Sequence, residues 1–282
     1  MTHTTLVSVD VLAAHLDDPA WRIFDCRHDL TRPKAGAQAY REAHVPNALF
    51  LHLDRDLSGP RTGRNGRHPL PEPAALARTL GRHGVSRDTQ VIAYDDSGGG
   101  FAARLWWLLR WLVHERAAVL DGGLAAWRAA GGPLTDRVPE VAPASFPIRP
   151  GAQALDAEQV LQRLGRPGVT LLDARGAERF RGEREPLDPV AGHIPGARNR
   201  PFTDNLTPED RFKPPAQLRE EYDRILGTGA EREVVAYCGS GVSACHNLLA
   251  LELAGIEGAR LYPGSWSEWC SDPSRPIATG TE

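Results

Sequence analysis

The sequence predicts an α/β protein of two tandem domains, each a mostly parallel sheet covered by helices on both faces. Three observations lead to this prediction: a length of 282 residues, an internal repeat, and short apolar runs that alternate with helical segments. A domain usually holds about 100–200 residues, so the length allows two of them. Strands that alternate with helices favour parallel pairing, because each crossover helix returns the chain to the same end of the sheet.

Four short motifs of the first half return in the second half in the same order. The matched segments are 25–27 (DCR) with 173–175 (DAR), 44–48 (HVPNA) with 193–197 (HIPGA), 91–94 (VIAY) with 234–237 (VVAY), and 121–127 (DGGLAAW) with 263–269 (PGSWSEW). One match would be chance, but four in order indicate an internal duplication. We therefore predict a first domain over 1–135, a proline-rich linker over 136–152, and a second domain over 153–282.

In the first half, Ser8 is placed to cap a helix that runs to residue 15, because its hydroxyl can accept a hydrogen bond from the first turn. Short apolar runs at 22–25 and 91–94 predict buried strands. Helices are predicted over 101–113 and 124–130, and the second of these is stopped by the Gly-Gly-Pro sequence that follows it.

The second half repeats this order of elements. Asp156 is placed to open a helix, a strand follows at 170–173, and a helix is predicted over 216–226. A further strand at 234–237 leads into a helix near Val242 and a short helix near Trp266. The two halves therefore predict the same fold twice.

Composition limits the partners that the chain can have. The 33 Lys plus Arg against 36 Asp plus Glu give a net charge of −3, which offers no global attraction for nucleic acid or an anionic membrane. Four cysteines are too few for a disulfide scaffold, and the N-terminus lacks a signal-like segment. The apolar stretch over 101–113 is too short to span a bilayer. We expect a cytoplasmic protein with no nucleic-acid or membrane partner.

The most informative cysteine is Cys238, which directly follows a predicted strand. A glycine-rich loop and then a helix come after it, so backbone N–H groups and the helix dipole can favour a thiolate, the nucleophilic form. The predicted amide cradle consists of Gly239, Ser240, Gly241, Val242 and Ser243. The first half has Asp95 at the equivalent position. Aspartate cannot carry sulfur, so the first domain is predicted to be inactive.

Other cysteine chemistries fit the sequence poorly. A phosphatase loop needs an arginine six positions after the nucleophile, where this chain has Ala244. A zinc site from Cys238, Cys245, His246 and Cys270 would lack the paired C-x-x-C spacing, which a thioredoxin-like dithiol also needs. We therefore predict no metal and one cysteine nucleophile.

The loop CGSGVSACH at 238–246, the pattern DAR…GHIPGA at 173–197 and the ending GSWSEW at 264–269 together resemble the tandem-domain rhodanese family of sulfurtransferases. The resemblance runs from about residue 6 to 275. It implies that Cys238 takes sulfur from a small-molecule donor as a persulfide and passes it to cyanide, a small thiol or a reduced thioredoxin. It implies no cofactor beyond this covalent intermediate. A redox-sensing or binding module with the same fold is the alternative outside catalysis.

The neutral pair Gly239 and Ser240 resembles the mercaptopyruvate branch of the family, in which 3-mercaptopyruvate donates sulfur and pyruvate is released. The resemblance gives Ser240 a catalytic role in polarising the substrate or relaying a proton, and it suggests that His44 faces Ser240. A thiosulfate donor is the alternative. The resemblance implies that members of the thiosulfate branch tend to carry positively charged residues directly after the cysteine.

A keto-acid substrate needs a partner for its carboxylate, which arginine supplies as a planar fork. Arg179 lies where the family places its substrate arginine. A second arginine is expected directly after Glu185-Pro186, but this chain has Leu187 there. Arg184 is the predicted replacement. The missing arginine keeps thiosulfate open as the donor.

Overall fold

The computed structural model describes residues 2–149, 151, 154–227 and 232–281. The chain folds into two compact units, each with its own sheet and hydrophobic core. The described part of the first unit comprises residues 2–59, 70–149, 151 and 209–211. The described part of the second unit comprises residues 60–69, 154–208, 212–227 and 232–281.

The first unit contains a five-stranded parallel sheet in the order β1-β5-β4-β2-β3. Its strands are β1 (Leu6–Val7), β2 (Trp21–Asp25), β3 (Ala48–Phe50), β4 (Gln90–Tyr94) and β5 (Ala117–Leu120). The predicted strands at 22–25 and 91–94 are β2 and β4, which pair along five residues. Every residue of β4 is buried, which is why it reads as a continuous apolar run rather than an alternating one.

Helices cover this sheet. They are α1 (Val9–Ala14), α2 (Ala35–Glu42), α3 (Leu53–Asp56), α4 (Pro73–Arg82), α5 (Gly100–Trp111) and α6 (Gly123–Ala129). Ser8 caps α1 as predicted, since its Oγ accepts the N–H of Val11 at 3.3 Å. The helix α5 is buried along most of its length, and its three tryptophans belong to the packed interior.

The second unit contains a four-stranded parallel sheet in the order β7-β6-β8-β9. The strands are β6 (Val169–Asp173), β7 (Arg198–Asn199), β8 (Glu233–Tyr237) and β9 (Arg260–Leu261). The helices are α7 (Ala157–Leu161), α8 (Ala177–Phe180), a 3₁₀ turn (Phe202–Asn205), α9 (Pro215–Leu226), α10 (Ser243–Leu253) and α11 (Ser265–Trp269). Among the described residues, no helix is both long and apolar enough to cross a membrane.

The duplication predicted from sequence extends to the buried ion pairs. In the first unit Arg27 makes a bidentate contact with Asp25, at the end of β2. In the second unit Arg175 makes the same contact with Asp173, at the end of β6. Each arginine also donates to a carbonyl more than a dozen residues further along the chain, so the pair orders the loop after the strand.

The division between the units differs from the predicted one at residues 60–69, which pack with the second unit although they lie within the first half of the sequence. The N–H of Arg67 donates to Ser267 Oγ at 3.0 Å, and a Cβ on Gly66 would meet the carbonyl oxygen of Gly264 at 2.6 Å. The predicted linker packs with the first unit, where the Ala144 N–H donates to Gly81. The predicted boundary between 152 and 153 lies outside the described residues.

Candidate active site

The nucleophile predicted from sequence lies at the carboxyl end of a buried strand. Cys238 directly follows β8, and α10 begins five residues later at Ser243. Its side chain is buried, with the residue only 2 % exposed. Ligands of parallel sheets bind at this end of the strands, where helix N-termini present unpaired amides.

The first turn of α11 holds the backbone around Cys238. The Cys238 N–H donates to Ser265 Oγ at 3.0 Å, and its carbonyl accepts the N–H of Trp266 at 2.9 Å. The carbonyl of Gly239 accepts the N–H of Ser267 at 3.0 Å. Ser265 adopts φ = +55°, a conformation that L-residues rarely take, and in this conformation its hydroxyl contacts the Cys238 N–H. The GSWSEW motif therefore positions the nucleophile.

The loop offers amides to an anion at the sulfur. The Ser240 N–H points at Cys238 Sγ, 3.5 Å away. Among the described residues, the N–H groups of Gly239, Val242 and Ser243 have no hydrogen-bond partner. Gly241 has φ = +74°, and a Cβ there would overlap the carbonyl oxygen of Pro263, so this position requires glycine. Gly239 does not have a positive φ, so its backbone conformation does not itself require glycine.

The equivalent loop of the first unit is filled by its own carboxylate. Asp95 Oδ1 accepts the N–H groups of Ser97 and Gly99, and Oδ2 accepts those of Phe101 and Ala102, all at 2.8–2.9 Å. Burial raises the pKa of Asp95, while these four amides act in the opposite direction. This loop of the first unit therefore holds an anion supplied by its own side chain, and it carries no nucleophile.

Ser240 is paired with a histidine that sequence reasoning missed. Its Oγ lies 2.7 Å from His68 Nδ1, and both residues are buried. His68 is 172 positions away and sits in the irregular segment 60–69, so no local pattern links it to Ser240. The pair gives the site a hydroxyl and an imidazole that can exchange a proton beside the sulfur.

His44, which was predicted to face Ser240, has both ring nitrogens engaged by carbonyls of the first unit. His44 belongs to the first unit, where Nδ1 lies 2.6 Å from the carbonyl of Tyr40 and Nε2 lies 3.2 Å from that of Arg137. Its ring stacks on Tyr40. His193, its counterpart in the repeat, makes two of the same contacts, with Nδ1 on the Phe180 carbonyl and its ring stacked on Phe180, whereas its Nε2 has no hydrogen-bond partner among the described residues. Both histidines therefore fix a turn.

Arg179 lies beside the loop and is held by two buried acids. Its Nε and Nη2 donate to Glu185 at 3.0 and 2.6 Å, and Nη2 also reaches Asp188 at 3.3 Å. Burial would raise the pKa of Glu185, but the bonds from Arg179 and two backbone amides hold it below its usual range. Burial raises the pKa of Asp188. The two acids fix the orientation of Arg179.

Arg184 is exposed and makes no side-chain hydrogen bond or ion pair within the described residues. It lines a surface cavity of about 560 Å³ together with Arg179, Arg181 and Pro186. A different arginine, Arg67, ion-pairs with Asp188 and reaches the loop at Gly239. Like His68, Arg67 comes from the segment 60–69, and sequence reasoning did not single it out.

The other three cysteines are buried and unbridged. Burial raises the pKa of Cys26 well above its usual range and that of Cys270 to about 11. The Cys245 thiol donates to the carbonyl of Gly241 at 3.2 Å and so supports the loop. Their surroundings favour the thiol form or engage it structurally, as expected for cysteines outside the chemistry.

One group of side chains in the first unit has the composition of a cation site. His28, His52 and Asp54 bring potential ligand atoms within 4.8 Å of one another. However, Nδ1 of His52 accepts the Asp54 N–H and its Nε2 faces the carbonyl of Pro33. Both nitrogens of His52 are therefore engaged in protein contacts, and the group offers little to a metal.

Comparison with known proteins relates both halves to one family. The family model described as "Rhodanese-like domain" matches residues 8–130 and again 156–272. A Pseudomonas aeruginosa protein named "Probable 3-mercaptopyruvate sulfurtransferase" is 53 % identical over 99 % of this chain and 100 % of its own length. The thiosulfate sulfurtransferase of Gallus gallus is 34 % identical over 88 % of this chain and 86 % of its own.

A solved structure agrees with the fold over the whole length. The crystal structure of SseA from Escherichia coli, a 3-mercaptopyruvate sulfotransferase, superposes with a TM-score of 0.82 and 32 % identity. The match covers 94 % of this chain and 99 % of the other. The two tandem parallel sheets are therefore an arrangement that the relative shares.

Proposed function

The chain belongs to the rhodanese-like family and is a sulfurtransferase, and from this premise we propose that its donor is 3-mercaptopyruvate. Cys238 would carry the sulfur as a persulfide, pyruvate would leave, and a thiol or cyanide would take the sulfur. This is covalent catalysis in two half-reactions.

The buried Ser240–His68 pair is the observation that carries the choice of donor. In the first half-reaction the Cys238 thiolate forms an S–S bond with the sulfur of mercaptopyruvate, and the C–S bond breaks. The electron pair of that bond stays on the CH₂ carbon as the enolate of pyruvate. The thiol proton of the donor must reach that carbon, and a hydroxyl paired with an imidazole provides a route. Thiosulfate has no such proton to transfer.

The product left on the enzyme is an anionic persulfide, Cys238–S–S⁻. The unpaired amides of Gly239, Val242 and Ser243, with that of Ser240, would stabilise it. Asp95 supports this role by analogy, because its carboxylate accepts two amides of the corresponding loop and two from the first turn of α5. Arg179, oriented by Glu185, would bind the donor's carboxylate.

In the second half-reaction an acceptor attacks the outer sulfur. Cyanide takes the sulfur and leaves as thiocyanate. A small thiol or thioredoxin takes it and leaves as its own persulfide. In both cases the S–S bond to Cys238 breaks and Cys238 returns to the thiolate. No cofactor enters either step. Four unbridged cysteines support a reducing, cytoplasmic location.

The donor is tested by comparing kcat/KM for 3-mercaptopyruvate and thiosulfate in wild type, Ser240→Ala and His68→Gln. We expect mercaptopyruvate to be preferred, and each substitution to lower kcat/KM for it by about 10²-fold or more while sparing thiosulfate. Ser271→Ala removes an exposed hydroxyl of the same unit and serves as control. A preference for thiosulfate, or equal losses with both donors, would overturn the proposal.

A further inference from the structure

Arg67 reaches the nucleophile loop from a segment far away in sequence. Its backbone N–H donates to Ser267 Oγ at 3.0 Å, next to the turn that holds the loop. Its guanidinium forms an ion pair with Asp188 through Nη1. The backbone and the tip of the side chain are therefore both fixed, and the side chain remains 22 % exposed.

Two guanidinium groups converge at Gly239, the residue after the nucleophile. A Cβ built on Gly239 would lie 2.7 Å from Arg67 Nη2 and 3.4 Å from both terminal nitrogens of Arg179. Glycine leaves this space open, and any side chain would enter the place where the two cations meet. The approach to Cys238 is therefore bounded on this side by two positive charges.

Both arginines keep N–H donors for a ligand. Arg179 uses Nε and Nη2 on Glu185 and Asp188, and Arg67 uses Nη1 on Asp188. Within the described residues, Arg179 Nη1 and Arg67 Nη2 have no hydrogen-bond partner. These two groups are among the nitrogens that lie against Gly239.

The acids make these donors rigid. The side chains of Glu185 and Asp188 are 3 % exposed, and Asp188 contacts both arginines, one with each carboxylate oxygen. Long arginine side chains lose conformational entropy when they bind a ligand, and side chains already fixed by other contacts lose less. The negative charges of the two acids also offset the positive charges of Arg67 and Arg179, which reduces the repulsion between the two guanidinium groups.

We infer that Arg67 is a second substrate-binding arginine, which forms with Arg179 a two-pronged clamp for the carboxylate of the sulfur donor. This inference rests on the proposed function. Arg67 would supply the positive charge of the arginine that was expected at position 187, where this chain has Leu187. The donors would then be sulfur compounds with a carboxylate close to the transferred sulfur. Exposed Arg184 is not needed for this clamp.

The test uses alkylation of Cys238, which does not depend on turnover. Iodoacetate and iodoacetamide react with the thiolate by the same chemistry, but only iodoacetate carries a carboxylate. The rate of each at Cys238 is followed by peptide mass spectrometry in wild type, Arg67→Gln, Arg67→Lys and the control Arg64→Gln. Arg64 is exposed in the same segment.

We expect Arg67→Gln to lower the iodoacetate-to-iodoacetamide rate ratio about tenfold, the loss of one charged hydrogen bond, with the iodoacetamide rate unchanged. Arg67→Lys keeps the charge and should lose less, and Arg64→Gln should match wild type. With 3-mercaptopyruvate, KM should rise about tenfold in Arg67→Gln while kcat changes less.

An unchanged rate ratio in Arg67→Gln would overturn the inference whatever the donor is. A fall in the ratio together with failure to use mercaptopyruvate in wild type would instead contradict the proposed function and leave the anion clamp standing. If Arg67→Gln lowers the iodoacetate and iodoacetamide rates equally, the substitution acts on the structure around Cys238. If Arg67→Lys also lowers both rates equally, the result counts against a binding role for Arg67.

Discussion

The Cys238 sulfur lies beside a backbone segment, Cys238 and Gly239, that helix α11 holds in place. Three hydrogen bonds from the first turn of α11 fix Cys238 and Gly239. The Ser240 amide lies 3.5 Å from the sulfur. Reactivity at this cysteine therefore depends on the geometry of neighbouring backbone as well as on side chains.

Ser265 is the residue on which this geometry depends most directly. Its Oγ accepts the Cys238 N–H and donates to the Tyr262 carbonyl at 2.9 Å, and the residue is fully buried at φ = +55°. The matching residue of the first unit is Gly123, also at positive φ, where no hydroxyl is present. The hydroxyl therefore belongs to the unit that carries the nucleophile.

We predict that Ser265→Ala lowers the free energy of unfolding by about 1–3 kcal/mol, because a buried amide and a buried carbonyl lose their partner. Ser265→Gly should be about 1 kcal/mol more stable than Ser265→Ala, since glycine tolerates positive φ. Both should lower kcat/KM. Urea unfolding and initial rates measure these effects, with Ser271→Ala as control; a Ser265→Ala variant of wild-type stability and activity would contradict the positioning role.

At the scale of elements, a strand, a loop and a helix form the same unit twice and differ in what occupies the loop. The loop between β4 and α5 encloses the Asp95 carboxylate, whereas the loop between β8 and α10 encloses Cys238. In the first unit four amides share one carboxylate, so the anion site is saturated by the protein itself. This explains in physical terms why the first unit can keep the loop conformation without catalysis.

We predict that Asp95→Ala lowers the free energy of unfolding by about 2 kcal/mol or more, because four N–H groups lose their acceptor at once. Asp96→Ala changes the exposed neighbour and should have an effect within about 0.5 kcal/mol. Urea unfolding of the full chain measures both. Equal stabilities of the two variants would show that Asp95 does not support the loop.

On the scale of the whole molecule, the repeated motifs predicted the two-unit fold, because strands, helix caps and the strand–loop–helix order around Cys238 depend on residues close in sequence. The predicted strands and helices differ from β2, β4, β6, β8, α5 and α10 by one or two residues at their ends. Helix ends depend on capping geometry that a pattern does not define closely.

The rest of the site could not be predicted in this way. His68 contacts Ser240, and Arg67 lies against Gly239, because residues 60–69 belong to the second unit. No motif or spacing in the sequence indicates that this segment packs there. His44 was open to a better interpretation, since its motif is repeated at His193. A histidine that occurs in both halves, one of them without a nucleophile, is more simply explained by a shared turn.

The molecule as a whole consists of two copies of one fold, and we expect only the copy with Cys238 to carry sulfur. Intact mass spectrometry of the full chain after incubation with 3-mercaptopyruvate, without acceptor, tests it most directly. We predict a gain of the mass of one sulfur atom per chain, lost on addition of cyanide and absent in Cys238→Ser. A chain that gains no sulfur, or a Cys238→Ser variant that still gains it, would contradict this account.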